Sequence, residues 1–219
     1  MSRPDAYRLA DGTRVPSVTD ILGSVHHGDG LIGWAANLAR QGRSWREERD
    51  GAGRVGHELH ALVEWHLRGC EWDTHPGVDA PVSDEAHRAY TAWLGWYAAH
   101  AVDPISIERP LVSERMRYGG TPDLIAHVDG RLCVVDWKTS SRIRPEYVAQ
   151  LAAYAALWTE HTGAVVERGI VVRCPKDGGA AEVLELDGPA LAAGMSYFAS
   201  LRLALDAHRF IEEVANVAR

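Results

Sequence analysis

Two short segments hold the residues best suited to chemistry: Gly119-Gly120-Thr121-Pro122-Asp123-Leu124 and Val134-Val135-Asp136-Trp137-Lys138-Thr139. Between them, Asp129-Gly130 is a strong signal for a type I′ hairpin turn, whose two central residues both need positive φ. In such a hairpin Asp123 opens one strand and Asp136 closes the next, so their carboxylates meet near the open end. Strand alternation puts Asp136 and Lys138, two residues apart, on one face. Two carboxylates and an ammonium then surround a single point. Carboxylate oxygens are the ligands that Mg²⁺ or Mn²⁺ prefers, and such an ion polarises a phosphodiester and lowers the pKa of water. The lysine could orient that water, help deprotonate it, or offset charge on the pentavalent transition state. An isolated Asp-x-Lys is common and usually marks a solvated strand edge, so the pair alone carries little weight.

Further residues stand in order around it. Gly56, His60 and Glu64 follow one another at intervals of four, and Gln150-Leu151-Ala152-Ala153-Tyr154 comes shortly after Lys138. With Gly120-Thr121-Pro122-Asp123 and the run ending in Asp136-Trp137-Lys138-Thr139, these elements resemble the PD-(D/E)XK nuclease superfamily and, within it, the RecB-like exonuclease branch. The opening Pro16-Ser17-Val18-Thr19 is similar to phage-encoded nucleases, and the likeness runs from about residue 14 to residue 160. It implies His60, Asp123, Asp136 and the backbone carbonyl of Trp137 as ligands of Mg²⁺ or Mn²⁺, with Lys138 as the catalytic lysine. Gln150 and Tyr154, one helical turn apart, would line the site and touch the DNA backbone or the lysine. Glu64, one turn beyond His60, is within reach of a second metal or of its water. The implied activity is hydrolysis of DNA phosphodiesters, by an exonuclease on single strands or duplex ends in recombination, repair or phage DNA metabolism. A recombination or single-strand-binding protein would be a fitting partner. The same fold also hosts structure- or sequence-specific endonucleases, and a catalytically silent DNA-binding protein is the reading from another class. Some RecB-like relatives hold an iron–sulfur cluster through one upstream and three C-terminal cysteines. No cysteine follows Cys174, so no such cluster is expected.

Other readings of single residues fare worse. His57-Glu58-Leu59-His60 lacks the four-residue histidine spacing of a zinc protease helix, and His57 reads as solvated. Arg142 and Arg144 directly follow Lys138 and suit phosphate contacts, together with Thr139. Ser140 fits either a phosphate contact or a plain turn. Arg40, Arg43, Arg46, Arg49 and Arg54 could flank the site, or form a solvated face with Glu47, Glu48 and Asp50.

The elements that must position these residues follow from periodicity. Ser17 caps a helix, with Asp20 where a capping box carries an acid. Gly28-Asp29-Gly30 breaks that helix, a second runs over about Leu31–Ala39, and Gly51 and Gly53 interrupt the Arg-rich stretch. Helices follow over residues 54–68 and 84–100, then strands over 105–113, 120–128 and 131–139. Pro145 opens a helix to about His161. Strands at 165–174 and 181–186 precede a last helix over 188–217, with Gly194 as a weak point. This order predicts an α/β fold: a restriction-endonuclease-like core with a mixed central sheet flanked by helices, plus an N-terminal helical portion. Residues 1–103 form that helical portion, carrying the metal-site histidine, and 104–219 the nuclease core, in one compact unit.

Composition bounds the rest. The 219 residues carry a formal charge of −7, against a simple nucleic-acid-binding module but compatible with an enzyme that needs carboxylates for metal and only a local basic groove. Three scattered cysteines (Cys70, Cys133, Cys174) argue against a disulfide framework. No apolar run nears the ~20 residues of a membrane span. Met1-Ser2-Arg3-Pro4-Asp5 resembles neither a secretory signal nor a transit peptide, so a cytoplasmic location is expected.

Overall fold

A mixed sheet of five strands, covered by helices on both faces, organises the chain. The computed structural model describes residues 6–24, 40–42, 44–70, 75–77 and 81–217, without the side chains of 45–49, 52 and 217. The helix expected over Leu31–Ala39, its preceding break and Arg43 lie outside the described residues, as do the side chains of Arg46 and Arg49. Among the described residues there are five helices: α1 (Val18–Gly23), α2 (Trp45–Leu67), α3 (Asp84–Ala99), α4 (Glu146–Thr162) and α5 (Gly188–Val217). The strands are β1 (Tyr7–Arg8), β2 (Arg14–Val15), β3 (Val102–Ile107), β4 (Leu111–Ser113), β5 (Tyr118–Gly120), β6 (Leu124–Val128), β7 (Arg131–Lys138), β8 (Arg168–Arg173) and β9 (Glu182–Leu186). The main sheet runs β3-β6-β7-β8-β9, with β7 and β8 parallel and the other pairs antiparallel. Two small hairpins, β1-β2 and β4-β5, stand beside it. Among the described residues no helix is long and apolar enough to cross a membrane.

Strand β7 lies at the centre and is buried on both faces, which explains its unbroken apolar run. Cys133, Val135 and Trp137 join Leu59 and Val63 of α2 and Trp93 of α3 in one core. Val134 points the other way, into a second core with Leu151 and Tyr154 of α4 and Phe198 of α5. Alternation therefore carries Asp136 and Lys138 to the α4 side. The turn is as expected: Asp129 and Gly130 have φ of 50° and 79°, and Leu124 pairs with Val135. That register, extended by one residue, sets Asp123 opposite Asp136.

Several boundaries differ from the sequence reading, each for a physical reason. Helix α2 runs through Gly51 and Gly53, and begins at Trp45. Its buried stripe of Val55, Leu59, Leu62 and Val63 contributes roughly 1.5–3 kcal/mol per side chain, more than the ~1 kcal/mol each glycine costs a helix. The strand expected over 105–113 is two strands in different sheets, broken where Pro110 cannot continue a ladder. The strand expected over 120–128 is likewise interrupted at Thr121-Pro122-Asp123, leaving Gly120 in the β4-β5 hairpin. Gly194 is no weak point. There α5 crosses α4 so closely that a Cβ would lie 2.8 Å from the Val148 carbonyl oxygen. The capping box of α1 forms as expected, with Ser17 Oγ accepting from Asp20 N and Asp20 accepting from Ser17 N.

Candidate active site

The ends of β3, β6 and β7 lie side by side, and each presents an acid. Asp123 precedes β6 and is fully buried, and its Oδ2 accepts a hydrogen bond from Trp137 N at 3.1 Å. N–H and C=O of one residue in an extended strand point to the same side, so the Trp137 carbonyl also faces Asp123. Glu108, just past β3, continues the ladder through its own N–H, which donates to Asp123 O at 3.1 Å. Its φ of 47° is left-handed for a non-glycine residue, a conformation that costs on the order of 1–3 kcal/mol and tends to occur at functional positions. The twist turns the Glu108 side chain inward, where it is only 6% exposed.

Helix α2 delivers the fourth group. Burial of Leu59, Leu62 and Val63 fixes its rotation, and the Trp137 ring packs beneath the imidazole of His60 at 5.6 Å. His60 Nδ1 then lies 3.0 Å from Glu108 Oε1 and 3.5 Å from Asp123 Oδ1. Ligand atoms of His60, Glu108 and Asp123 all fall within 4.8 Å of one another, close enough to share one cation. Asp136 sits beside this trio at 1% exposure, with its Oδ2 2.6 Å from the Lys138 ammonium. Buried carboxylates this close together are costly unless cations satisfy them. That donor set, two carboxylates and an imidazole with the Asp136 carboxylate beside them, suits a divalent ion such as Mg²⁺ or Mn²⁺.

The protonation states answer to the same crowding. Burial, aided by the Asp123 carboxylate and opposed by Lys138, pushes the Asp136 carboxyl up to about 6. Burial alone would depress Lys138, yet the carboxylates of Asp136 and Asp123 raise it above the usual lysine range. Lys138 therefore carries its proton. Burial likewise works against a charged His60, but Asp123 and Glu108 together hold its pKa above the ordinary value. Without a metal, a proton on His60 and, below about pH 6, one on Asp136 must be displaced by an incoming cation.

Lys138 and His60 open into a cleft of about 790 Å³, whose other walls include Gly53, Gly56, Thr139, Arg144, Tyr147 and Lys176. The Lys138 ammonium lies 5.3 Å over the ring of Tyr147. Arg173 also lines the cleft, held by Glu182 and donating to Ser140 O at 3.2 Å. Cationic groups thus gather here despite the acidic chain.

Not every residue expected at the site meets there. Glu64 bonds to Arg68 at 2.9 Å and lies outside the His60–Glu108–Asp123 group. Gln150 donates to Tyr154 Oη at 3.1 Å, both buried, and Tyr154 lines a different cavity, against Ser17, Val18 and Gly120. Gly120 makes room for it, since a Cβ there would be 2.6 Å from the Tyr154 ring. The two motifs are coupled by packing. Thr139 and Arg144 line the catalytic cleft, whereas Arg142 is exposed and outside its lining. The Ser140 hydroxyl donates to Arg142 O at 2.8 Å, which fits a turn. His57 is exposed, and Arg54 pairs with Glu58. Glu108, Tyr147 and Lys176 are additions that sequence reading missed. For Glu108 the signal was Pro110, which forces the chain to break beside the Asp123 strand.

The family model of the PD-(D/E)XK nuclease superfamily matches residues 34–216. Mitochondrial genome maintenance exonuclease 1 of Mus musculus is 33% identical over 81 residues, covering 33% of this chain and 24% of that protein, and the Homo sapiens protein is 32% identical over the same length. The match thus spans about a quarter of those relatives. Among solved structures, LHK-Exo in complex with dAMP has a TM-score of 0.41 at 13% identity, covering 94% of this chain and 95% of that one. The alkaline exonuclease LHK-Exo from Laribacter hongkongensis has a TM-score of 0.38 at 17% identity, covering 75% and 86%.

Proposed function

From the premise that the chain belongs to the PD-(D/E)XK nuclease superfamily, we propose that it is a DNA nuclease dependent on Mg²⁺ or Mn²⁺, acting as an exonuclease on single strands or duplex ends. The observation that carries the metal dependence is the convergence of His60, Glu108 and Asp123 within reach of one cation, beside the buried carboxylate of Asp136. Those four side chains, with the Trp137 carbonyl, would hold the ion, and Glu108 joins the expected set where Glu64 does not. When bound, the ion supplies Lewis-acid polarisation of the phosphodiester and a lowered pKa for the attacking water.

The chain's own groups do the remainder. Lys138, protonated, acts as a hydrogen-bond donor that orients the nucleophile and offsets charge on the pentavalent phosphorus. A base role fits it less well, because Asp136 and Asp123 hold its proton in place. Tyr147 fixes the ammonium from one side. Arg144 and Lys176 face the same cleft and suit contacts to backbone phosphates, which position a strand without reading its sequence. Gln150 and Tyr154, set behind Gly120, shape the entrance to the Asp123 turn rather than touching the reacting atoms.

The exonuclease choice follows the name of the curated relatives. It is tested with end-labelled linear DNA, single- and double-stranded, beside covalently closed circular DNA. Linear substrates should shorten from their ends only when Mg²⁺ or Mn²⁺ is present, and closed circles should persist. Linearised circles would instead point to an endonuclease. DNA retained without cleavage under any divalent ion would point to a silent binding protein.

A further inference from the structure

Helix α2 carries three glycines that its packing does not explain, Gly51, Gly53 and Gly56, and the last two line the cleft. A Cβ at Gly53 would meet nothing within 4 Å, and one at Gly56 only Thr139 Oγ1 at 3.6 Å, an ordinary contact. Neither has left-handed backbone, since glycines with positive φ are found elsewhere. Each weakens the helix relative to alanine, so the fold alone would be served better by alanine at both places. Gly53, Gly56 and His60 stand at i, i+3 and i+7, on one face of α2. All three line the cleft that Arg144 and Lys176 also line. Lys138, which also lines the cleft, lies 2.6 Å from Asp136 Oδ2.

We infer that the Gly53–Gly56 face is a substrate wall, where the sugar–phosphate backbone of the nucleic-acid strand lies directly against bare helix while Arg144 and Lys176 hold its phosphates from the other side. The inference rests on the nuclease reading and assigns its strand-binding surface. A bare helix face lets a backbone approach closer than any side chain allows, and it puts the strand in line with His60 at the metal-binding end. The wall favours the strand's backbone over its bases, so it binds without sequence preference.

Gly95, exposed on α3 with open space around its Cα, provides the control. Gly53→Ala, Gly56→Ala and Gly95→Ala should each raise Tm by roughly 2–4 °C, from better helix propensity in a chain of this size. Gly53→Leu fills the wall without touching the core. Binding of a fluorescent oligonucleotide, followed by anisotropy in the presence of chelator so that nothing is cut, should weaken about tenfold or more in Gly53→Leu, a loss typical of one displaced contact. It should weaken by smaller factors in Gly53→Ala and Gly56→Ala, and stay unchanged in Gly95→Ala. With divalent ion, KM should rise in the cleft variants while kcat holds. Equal affinity in all four variants, or a fall in Tm in the two cleft alanine variants, overturns the inference. A wild-type protein that binds the oligonucleotide with this pattern yet never cleaves it keeps the wall and rejects the nuclease reading, so the two fail separately.

Discussion

Lys138→Ala should lower the cleavage rate by about 10²–10³-fold or more, the loss expected when one preorganised donor to a developing anion is removed. The protein should remain folded. Its ammonium lies 2.6 Å from Asp136 Oδ2 and is the charge next to a carboxylate at 1% exposure. Removing it would strand a buried anion, except that Asp136 already has its pKa pushed up to about 6 and can take a proton instead. Without Lys138 that pKa rises further, so the variant carries a neutral Asp136 and an intact sheet. Lys138→Arg should not restore the rate, because a planar guanidinium cannot replace a compact ammonium between Asp136 and Tyr147. Thermal melts and steady-state cleavage of an end-labelled strand check both halves. Full activity in Lys138→Ala would remove the lysine from the mechanism.

Glu108→Gln should weaken Mn²⁺ binding by at least about 10–100-fold, a range reached even when only an outer partner of a metal ligand is lost. Isothermal titration reads this directly, and cleavage should fall with it. The change keeps size and shape while deleting the charge that faces His60 Nδ1 at 3.0 Å. The same titration has a pH signature. Protons on His60, whose pKa lies above its ordinary value, and on Asp136, raised to about 6, compete with the metal, so wild-type affinity weakens as pH falls first through the raised His60 value and then through about 6. In Glu108→Gln the His60 proton loses one of its two carboxylate partners, and the fall should become shallower. Unchanged affinity in the variant would place the ion away from β3.

The contrast between Asp123–Asp136 and Glu108 marks where sequence reading works on this fold. Asp123 and Asp136 are joined by one hairpin, and the Asp129-Gly130 turn fixes their register, so local rules suffice to bring them together. The apolar run of β7 and the capping box of Ser17 are legible for the same reason. Glu108 reaches the site by a different route: β3 pairs with β6 across the intervening β4-β5 hairpin, and its side chain turns inward only because the backbone leaves the extended region there. Period-two alternation across 105–113 conceals that kink. Glu64 is a different case. Helical spacing from His60 was right, but Arg68, one further turn along, takes its carboxylate. Tyr154 shows the third limit, since a residue one turn from Gln150 can be coupled to Gly120 by packing and still face another cavity.

The central claim is that His60, Glu108, Asp123 and Asp136 form one divalent-ion centre beneath Lys138. The most direct test is an anomalous difference map from crystals of the protein soaked in Mn²⁺ near pH 8, where the competing Asp136 proton is absent. The account predicts a peak bonded to side chains of His60, Glu108, Asp123 and Asp136, and its disappearance in crystals of Glu108→Gln soaked at low Mn²⁺. A peak elsewhere in the molecule, with these four side chains left as they are without metal, would contradict it.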